Sequence, residues 1–335
     1  MAGTEGTAKP RSARALWYVA QGKAELRDEA LRDPVGDEVM VRTQFSAVSR
    51  GTERLVISGA VEESEWERMR APLQAGTFPY PVKYGYCTTG IVAEGPAALL
   101  GRRIFALHPH QDVFLIPESM AVTIPDGIPS RRATLAANME TALNAIWDAG
   151  CGPADRIVVV GGGIVGLLVA FLARALPGVD VTLVDVDPAR KDLASRLGVS
   201  FALPEDRPIN ADAVFHTSAS GAGLTTAIAT AGQEATIIEL SWYGSGTIAA
   251  PLGGAFHSKR LKLISSQVGQ VSPTRRPRWT YRRRLEAALA LLHDPALDAL
   301  IPDDIPFEET PRRLPEILSP GATGLPPLIR YPDPH

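Results

Sequence analysis

Residues 156–166 read Arg-Ile-Val-Val-Val-Gly-Gly-Gly-Ile-Val-Gly, which places Gly161, Gly163 and Gly166 in a G-x-G-x-x-G spacing. An apolar strand-like run precedes the glycines and an apolar helical run follows them, the context that phosphate chemistry requires. The first glycine permits a tight turn, the second lets backbone approach a pyrophosphate, and the third lets helix pack closely on strand. Ile164 and Val165 stand at the start of that helix, whose N-terminus stabilises negative charge. The next apolar run, Val181–Asp185, ends in an acid nineteen residues past Gly166. Asp185 is placed to accept hydrogen bonds from an adenosine ribose diol and to repel a 2′-phosphate, so NAD is the expected cofactor. Arg190 and Lys191 lie close by and keep NADP open. The competing interpretation is a purely structural turn in which Asp185 caps the helix beginning at Pro188.

A turn of this kind needs a parallel sheet, and the chain supplies one. From Arg156 onward apolar strands at 157–160, 179–184, 213–216, 236–240 and 261–265 alternate with helical runs at 164–176, 188–197 and 224–231. Continuous apolar strands of this type are buried on both faces. Upstream, from Arg14 to about Pro125, the texture is short β segments, among them Val39–Phe45, Thr89–Ala93, Arg103–Leu107 and Val113–Pro117. Residues 61–83 are charged and Pro-rich and read as a surface excursion. An Ala-rich helix over 133–149 joins the two regions, and a helix at 285–293 precedes a Pro-rich tail that resembles more of the first region. The expected organisation is therefore a β-rich domain over 1–130, a doubly wound domain over 131–270 and a return to the first domain over 271–335.

Composition narrows the classes. The 335 residues hold 34 Lys and Arg against 37 Asp and Glu, a net charge of −3. That balance offers no basic surface for nucleic acid or an anionic membrane. With 45% hydrophobic and 21% charged residues the chain is an ordinary globular one. Two cysteines, Cys87 and Cys151, exclude a disulfide framework and a zinc lobe built on four cysteines. The first sixteen residues lack an apolar core of the signal-peptide kind, so the cytoplasm is the expected location. Ile157–Ala173 has no charge over seventeen residues, but Gly161, Gly162, Gly163 and Gly166 interrupt it, against a membrane span. The expected partners are a small-molecule substrate and, beyond that, a second copy of the chain in a homodimer.

A β-rich domain, a nucleotide domain and a short return resemble the medium-chain dehydrogenase/reductase superfamily over nearly the whole chain. Pro34–Arg42, Gly101–Phe105 and the segment from Pro306 to Arg330 resemble elements of that superfamily. Ser46-Ala-Val-Ser-Arg-Gly-Thr-Glu53 resembles its S-x-G-T-E subgroup, which includes the bacteriochlorophyllide dehydrogenase. The resemblance implies a GroES-like catalytic domain joined to a Rossmann domain, and hydride transfer to or from a nicotinamide cofactor. It also implies nicotinamide contacts from Thr141, beside Glu140, and from the turns that hold Ser241, Trp242 and Gln267.

The chain departs from the zinc-dependent members. Ser49 stands at the first ligand position, Tyr86 and Cys87 stand where a His-Glu pair would be, and the later ligand position falls near Ala137 or Asn138. A catalytic zinc needs three thiolate, imidazole or carboxylate groups, so no metal is expected. Carbonyl reduction still needs a group that stabilises the developing oxyanion and donates a proton. Tyr86, Ser49, Arg50 and Glu53 are the candidates: Tyr86 as donor, and Arg50 as partner of a substrate carboxylate. Arg50 and Glu53 pairing only with each other, and Tyr86 as mere wall, are the competing roles. His108-Pro-His110 reads as a polar loop near the cleft. The expected activity is zinc-independent hydride transfer between NAD(H) and a small organic alcohol or carbonyl. An NADPH-dependent quinone or enone reductase and a non-catalytic NAD-binding redox sensor are the alternatives.

Overall fold

A computed structural model describes residues 11–332. Residues 1–10, which belong to the signal-peptide expectation, lie outside the described residues. The chain runs β1 (Arg11–Ala20), β2 (Lys23–Leu31), β3 (Glu38–Ala47), α1 (Arg50–Ser58), β4 (Ala75–Gly76), β5 (Val82–Lys83), β6 (Thr88–Glu94), β7 (Arg103–Ala106), β8 (Val113–Pro117) and β9 (Val122–Thr123). Then come α2 (Ser130–Ala133), α3 (Ala136–Ala149), β10 (Arg156–Val160), α4 (Ile164–Ala173), β11 (Asp180–Val184), α5 (Arg190–Arg196), β12 (Ser200–Ala202), β13 (Ala211–His216), α6 (Gly221–Thr230), β14 (Ala231–Glu239) and β15 (Lys262–Ser265). The last elements are α7 (Tyr281–Ala290), β16 (Asp304–Pro306), α8 (Thr310–Ile317) and β17 (Leu328–Arg330).

The second lobe is a six-stranded parallel sheet in the order β12-β11-β10-β13-β14-β15. Counted within the lobe this is the 3-2-1-4-5-6 order of a doubly wound nucleotide-binding sheet. Strand side chains alternate between faces, and β10 shows the consequence. Ile157 and Val159 pack into a core with α3, α4 and α7, while Val158 and Val160 pack into one with α6. All four are at most 4% exposed, which explains why β10 reads as an unbroken apolar run.

The first lobe holds a seven-stranded sheet, β16-β17-β3-β6-β7-β9 with β8 also on β3, and a four-stranded sheet, β2-β1-β5-β4. The C-terminal return therefore exists, but it starts later than residue 271. Leu285, Ala288 and Leu289 of α7 bury in the same core as Met139 and Ala142 of α3, and the chain rejoins the first lobe only at β16. Residues 61–83 are also more than a surface excursion. Phe78 and Val82 are buried in the first lobe's core, and Met69 and Ala71 line a cavity. Helix α1, which carries Arg50, Thr52 and Glu53, is the main element the sequence pattern did not announce.

Candidate active site

The glycine-rich turn joins β10 to α4. Gly161 has φ +114°, a region that disfavours side chains. A Cβ on Gly166 would lie 1.9 Å from the Gly161 carbonyl oxygen, so the helix approaches the strand as closely as backbone allows. Thr217 Oγ1 donates to that carbonyl at 2.8 Å and fixes the turn against the end of β13. A Cβ on Gly163 would meet nothing within 4 Å, because this residue faces an open cleft. The N–H groups of Gly163, Ile164 and Val165 open α4 along the wall of that cleft, so the turn fits a dinucleotide's pyrophosphate.

Asp185 lies at the end of β11, where it accepts hydrogen bonds from Gly162 N–H at 2.5 Å and Asp187 N–H at 2.8 Å. It is not the cap of the following helix. Asp187 accepts from Ala189 N–H in the turn before α5, and α5 begins only at Arg190, without a side-chain cap. Arg190 packs over Gly162, its Cγ within 3.0 Å of a Cβ built there, and donates to the Gly324 carbonyl.

The cleft encloses about 350 Å³ between the lobes. Arg50, Arg54 and Arg190 line it, and no carboxylate among the described residues does. Burial, with Arg54 and Arg190 nearby, lowers the Arg50 pKa from its ordinary value. Arg50 donates to the carbonyls of Ile317 and Gly324. It does not pair with Glu53, and it faces the nucleotide cleft instead of the larger cavity described below. Ser241 and Trp242 line the same cleft, and Ser241 Oγ accepts from Ala219 N–H.

At the positions where the sequence resemblance leads to an expectation of metal ligands, this chain gathers hydroxyls. Tyr86 Oη lies 2.5 Å from Ser49 Oγ and 3.1 Å from Thr52 Oγ1. Ser49 precedes α1 and Thr52 is in its first turn, so helical geometry aims both at the phenol. Three hydroxyls carry three protons and the two contacts use two, which leaves one for an outside acceptor. Burial and the neighbouring Cys87 raise the Tyr86 pKa against the opposing pull of Ser49 and Thr52, so the phenol stays protonated. Cys87 is buried, its thiol pKa is raised by burial and by Glu53, and Sγ contacts Asn138 Oδ1 at 3.7 Å. Ser49, Tyr86, Cys87 and Asn138 offer one thiol and no imidazole or carboxylate, short of the three such groups that a catalytic zinc uses. Among the described residues no group of three or more His, Cys, Asp or Glu could hold a metal ion.

Glu53 is also corrected. It is 0% exposed and cannot touch a substrate. One carboxylate oxygen accepts from Ser49 N–H at 2.6 Å, and the other meets Tyr18 Oη at 2.5 Å and His110 Nε2 at 3.0 Å. His110 Nδ1 continues to Ser46 Oγ, which contacts Tyr331 Oη. Burial raises the Glu53 carboxyl, but His110, Tyr18 and Ser49 together outweigh it and lower the pKa. The carboxylate thus anchors the backbone that presents Ser49. His108 and His110 are both buried, not a polar loop. Burial pulls the His108 imidazole down to about 3, and its ring stacks on Phe114 with centroids 3.7 Å apart.

Beyond Tyr86 lies a second cavity of about 540 Å³. Thr52, Met69, Tyr86, Thr141, Gln267 and Val268 border both spaces, so the two are continuous at the hydroxyl cluster. Thr141 donates to Ala137 O within α3 while still edging both cavities. Gln267 Oε1 accepts from Gly269 N–H and folds its own turn. Arg284, 2% exposed, donates to Glu140, Asn144 and the carbonyls of Val268 and Gln270. That buried guanidinium ties the Gln267–Gln270 turn to α3. Thr52, Met69, Arg54 and Arg284 were not singled out from the sequence. A Ser49/Thr52 pair at helical spacing was the available signal, had the segment been read as helix.

No protein-family model matches the sequence. A curated relative, D-xylulose reductase A of Aspergillus oryzae, is 26% identical over 153 residues, 43% of this chain and 42% of its own length. The matches span 36–42% of the length of the first curated relatives. Among solved structures, a dehydrogenase of Sinorhizobium meliloti 1021, named provisionally as zinc-binding and bound to NADP, superposes with TM-score 0.76 and 17% identity over 96% of this chain and 99% of its own. A short chain alcohol dehydrogenase of Escherichia coli CFT073 complexed with NADH gives TM-score 0.75 and 13% identity over the same shares. These likenesses establish the fold: a GroES-like lobe joined to a Rossmann lobe, as in medium-chain dehydrogenases.

Proposed function

We propose that this protein is a nicotinamide-dependent, zinc-independent oxidoreductase that transfers hydride between NAD(H) and the alcohol or carbonyl group of an organic molecule. The observation that carries this reading is the meeting of a nucleotide-shaped cleft and a largely apolar cavity at the Tyr86–Ser49–Thr52 cluster. The names of the curated relative and of the structural neighbours support the oxidoreductase and nicotinamide parts of this reading.

The cofactor, when bound, supplies hydride chemistry. The chain's own part starts with Gly163, Ile164 and Val165, whose N–H groups, together with Arg50 and Arg190, hold the diphosphate. Asp185 accepts from the ribose diol. Thr141, Ser241, Trp242 and Gln267 border the passage toward the second cavity and orient the nicotinamide end. Tyr86 would donate its proton to the substrate oxygen, and Ser49 or Thr52 would relay a proton taken from water in the cleft to the phenol oxygen, so that all three hydroxyls end protonated. In the alcohol-to-carbonyl direction the same relay would run in reverse and deliver the alcohol's proton to water in the cleft.

A second reading has one observation in its favour. Arg190 packs beside Asp185 over Gly162, where it could meet a 2′-phosphate, so NADP(H) and a quinone or enone reductase remain the alternative. A non-catalytic cofactor sensor would bind nucleotide with no turnover. Self-association would use β15, an edge strand with unpaired backbone groups on its outer side. No helix among the described residues is long and apolar enough to cross a membrane.

Fluorescence titration with NADH and NADPH, followed by a carbonyl and alcohol panel, tests the proposal. NADH should bind more tightly and be consumed with at least one carbonyl. Preference for NADPH with conjugated substrates supports the alternative, and absence of nucleotide binding refutes both.

A further inference from the structure

The 540 Å³ cavity is larger than a small alcohol requires and falls within the roughly 300–1,000 Å³ of sites that enclose drug-sized ligands. Its buried part is largely apolar, with Leu107, Val122, Ala137 and Leu285 beside Tyr84 and Tyr86. Its outer rim differs in kind. Arg68, Arg70 and Arg282 stand there, and Glu140, the one acid among the described residues that line the cavity, is already paired with the buried Arg284 at 2.9 Å.

The three rim arginines are not equivalent. Arg68 is held by Glu65 at 2.7 and 2.8 Å, and Arg282 by Glu286 at 2.6 Å. Arg70 has no carboxylate within 4.0 Å among the described residues. Its guanidinium donates only to the carbonyls of Gln74 and Gly76, at 3.1 and 3.3 Å. Those carbonyls orient the planar group without cancelling its charge. The rim therefore presents one uncompensated guanidinium at the mouth of an apolar space, with donors left over for a planar anion.

Resting on the oxidoreductase reading, we infer that the substrate is an elongated, largely apolar alcohol or carbonyl compound with a carboxylate at the end remote from the reacting carbon, and that Arg70 binds this carboxylate. A single guanidinium matches a monoanion in charge and a carboxylate in shape, since two parallel N–H···O bonds satisfy both oxygens. The apolar body lies along Met69, Met120 and Leu285, and the reacting oxygen reaches Tyr86. Arg70 in this role determines specificity and takes no part in proton transfer.

The test is calorimetric titration of the full-length protein, saturated with NAD, with phenylhexanoate and with its uncharged amide. The carboxylate should bind about tenfold more tightly. Arg70→Gln should abolish that preference while leaving amide affinity and thermal midpoint unchanged, and Arg70→Lys should retain part of it. Equal binding of the two probes, binding of neither, or a preference that survives Arg70→Gln overturns the inference. A phosphate monoester of the same skeleton binding well above the carboxylate overturns the choice of anion. NAD binding is measured separately in the same samples. Its absence defeats the oxidoreductase reading, and the probe titration, repeated without NAD, still decides the carboxylate question.

Discussion

Tyr86 Oη lies 2.5 Å from Ser49 Oγ, across 37 positions of sequence, at the point where the nucleotide cleft opens into the larger cavity. Neither residue comes to this contact by itself. Glu53 accepts from the Ser49 N–H and is in turn held by Tyr18 and His110, so a wholly buried network sets the position of a half-buried hydroxyl. The arrangement links three hydroxyls at the cleft to a buried carboxylate through the Ser49 backbone.

Tyr86→Phe removes one hydroxyl and almost no volume. Turnover should fall about tenfold to a thousandfold, the range for a lost acid or oxyanion donor, with NADH affinity and thermal midpoint retained. Ser49→Ala should give a smaller loss, because Thr52 still contacts the phenol. Steady-state kinetics on the best carbonyl from the panel measures both, and full turnover by Tyr86→Phe would remove the phenol from the mechanism.

Arg50→Ala should weaken NADH binding by about tenfold and leave the substrate's Michaelis constant nearly unchanged at saturating cofactor. Arg50 lines only the nucleotide side of the site, and a charge-assisted bond to phosphate contributes about 1.5–3 kcal/mol. The opposite split, a raised substrate constant with normal cofactor affinity, would return Arg50 to the substrate.

Asp185→Ala removes the acceptor for the ribose diol and also leaves Gly162 N–H without its partner. NADH affinity should drop by about 1–3 kcal/mol, and NADPH should gain relative to NADH as the repulsion disappears. Parallel titrations decide this, and unchanged affinities for both would reduce Asp185 to a brace of the glycine turn.

The His108 imidazole falls from 6.5 to about 3 on folding, through burial. Below pH 6.5 the unfolded chain therefore takes up a proton that the native state refuses. This group's share of stability is complete above pH 6.5 and declines by about 1.4 kcal/mol per pH unit as pH drops toward 3. His108→Phe keeps a ring against Phe114 and lacks the titration. Urea unfolding should show the wild type losing about 2–3 kcal/mol relative to this variant between pH 7 and pH 4.5. A constant difference would mean that His108 is protonated in place.

The nucleotide lobe was legible in the sequence because its information is local. Gly161 to Gly166 are consecutive with the strand and helix they join, and β10 is apolar at every buried position. The catalytic lobe was legible only in outline. Ser49 and Tyr86 were identifiable as residues at vacated ligand positions, but Thr52 depends on α1, whose polar, glycine-containing start carries a weak helical signal. Glu53 and Arg50 are adjacent on that helix and point to opposite environments. Their separation is set by Tyr18 and His110 on one side and the 317–324 segment on the other, contacts that no local pattern contains. The rim of the large cavity joins Arg70 to Arg282 across more than two hundred residues, and the return of the chain at β16 was misplaced for the same reason.

The central claim is hydride transfer without a metal. The most direct measurement is the zinc content of the purified protein by elemental analysis, paired with its NADH-dependent carbonyl reduction before and after exhaustive chelator dialysis. The account predicts well under one zinc per chain and a rate that survives dialysis. One tightly held zinc per chain, with activity lost on its removal and restored by adding zinc back, would contradict it.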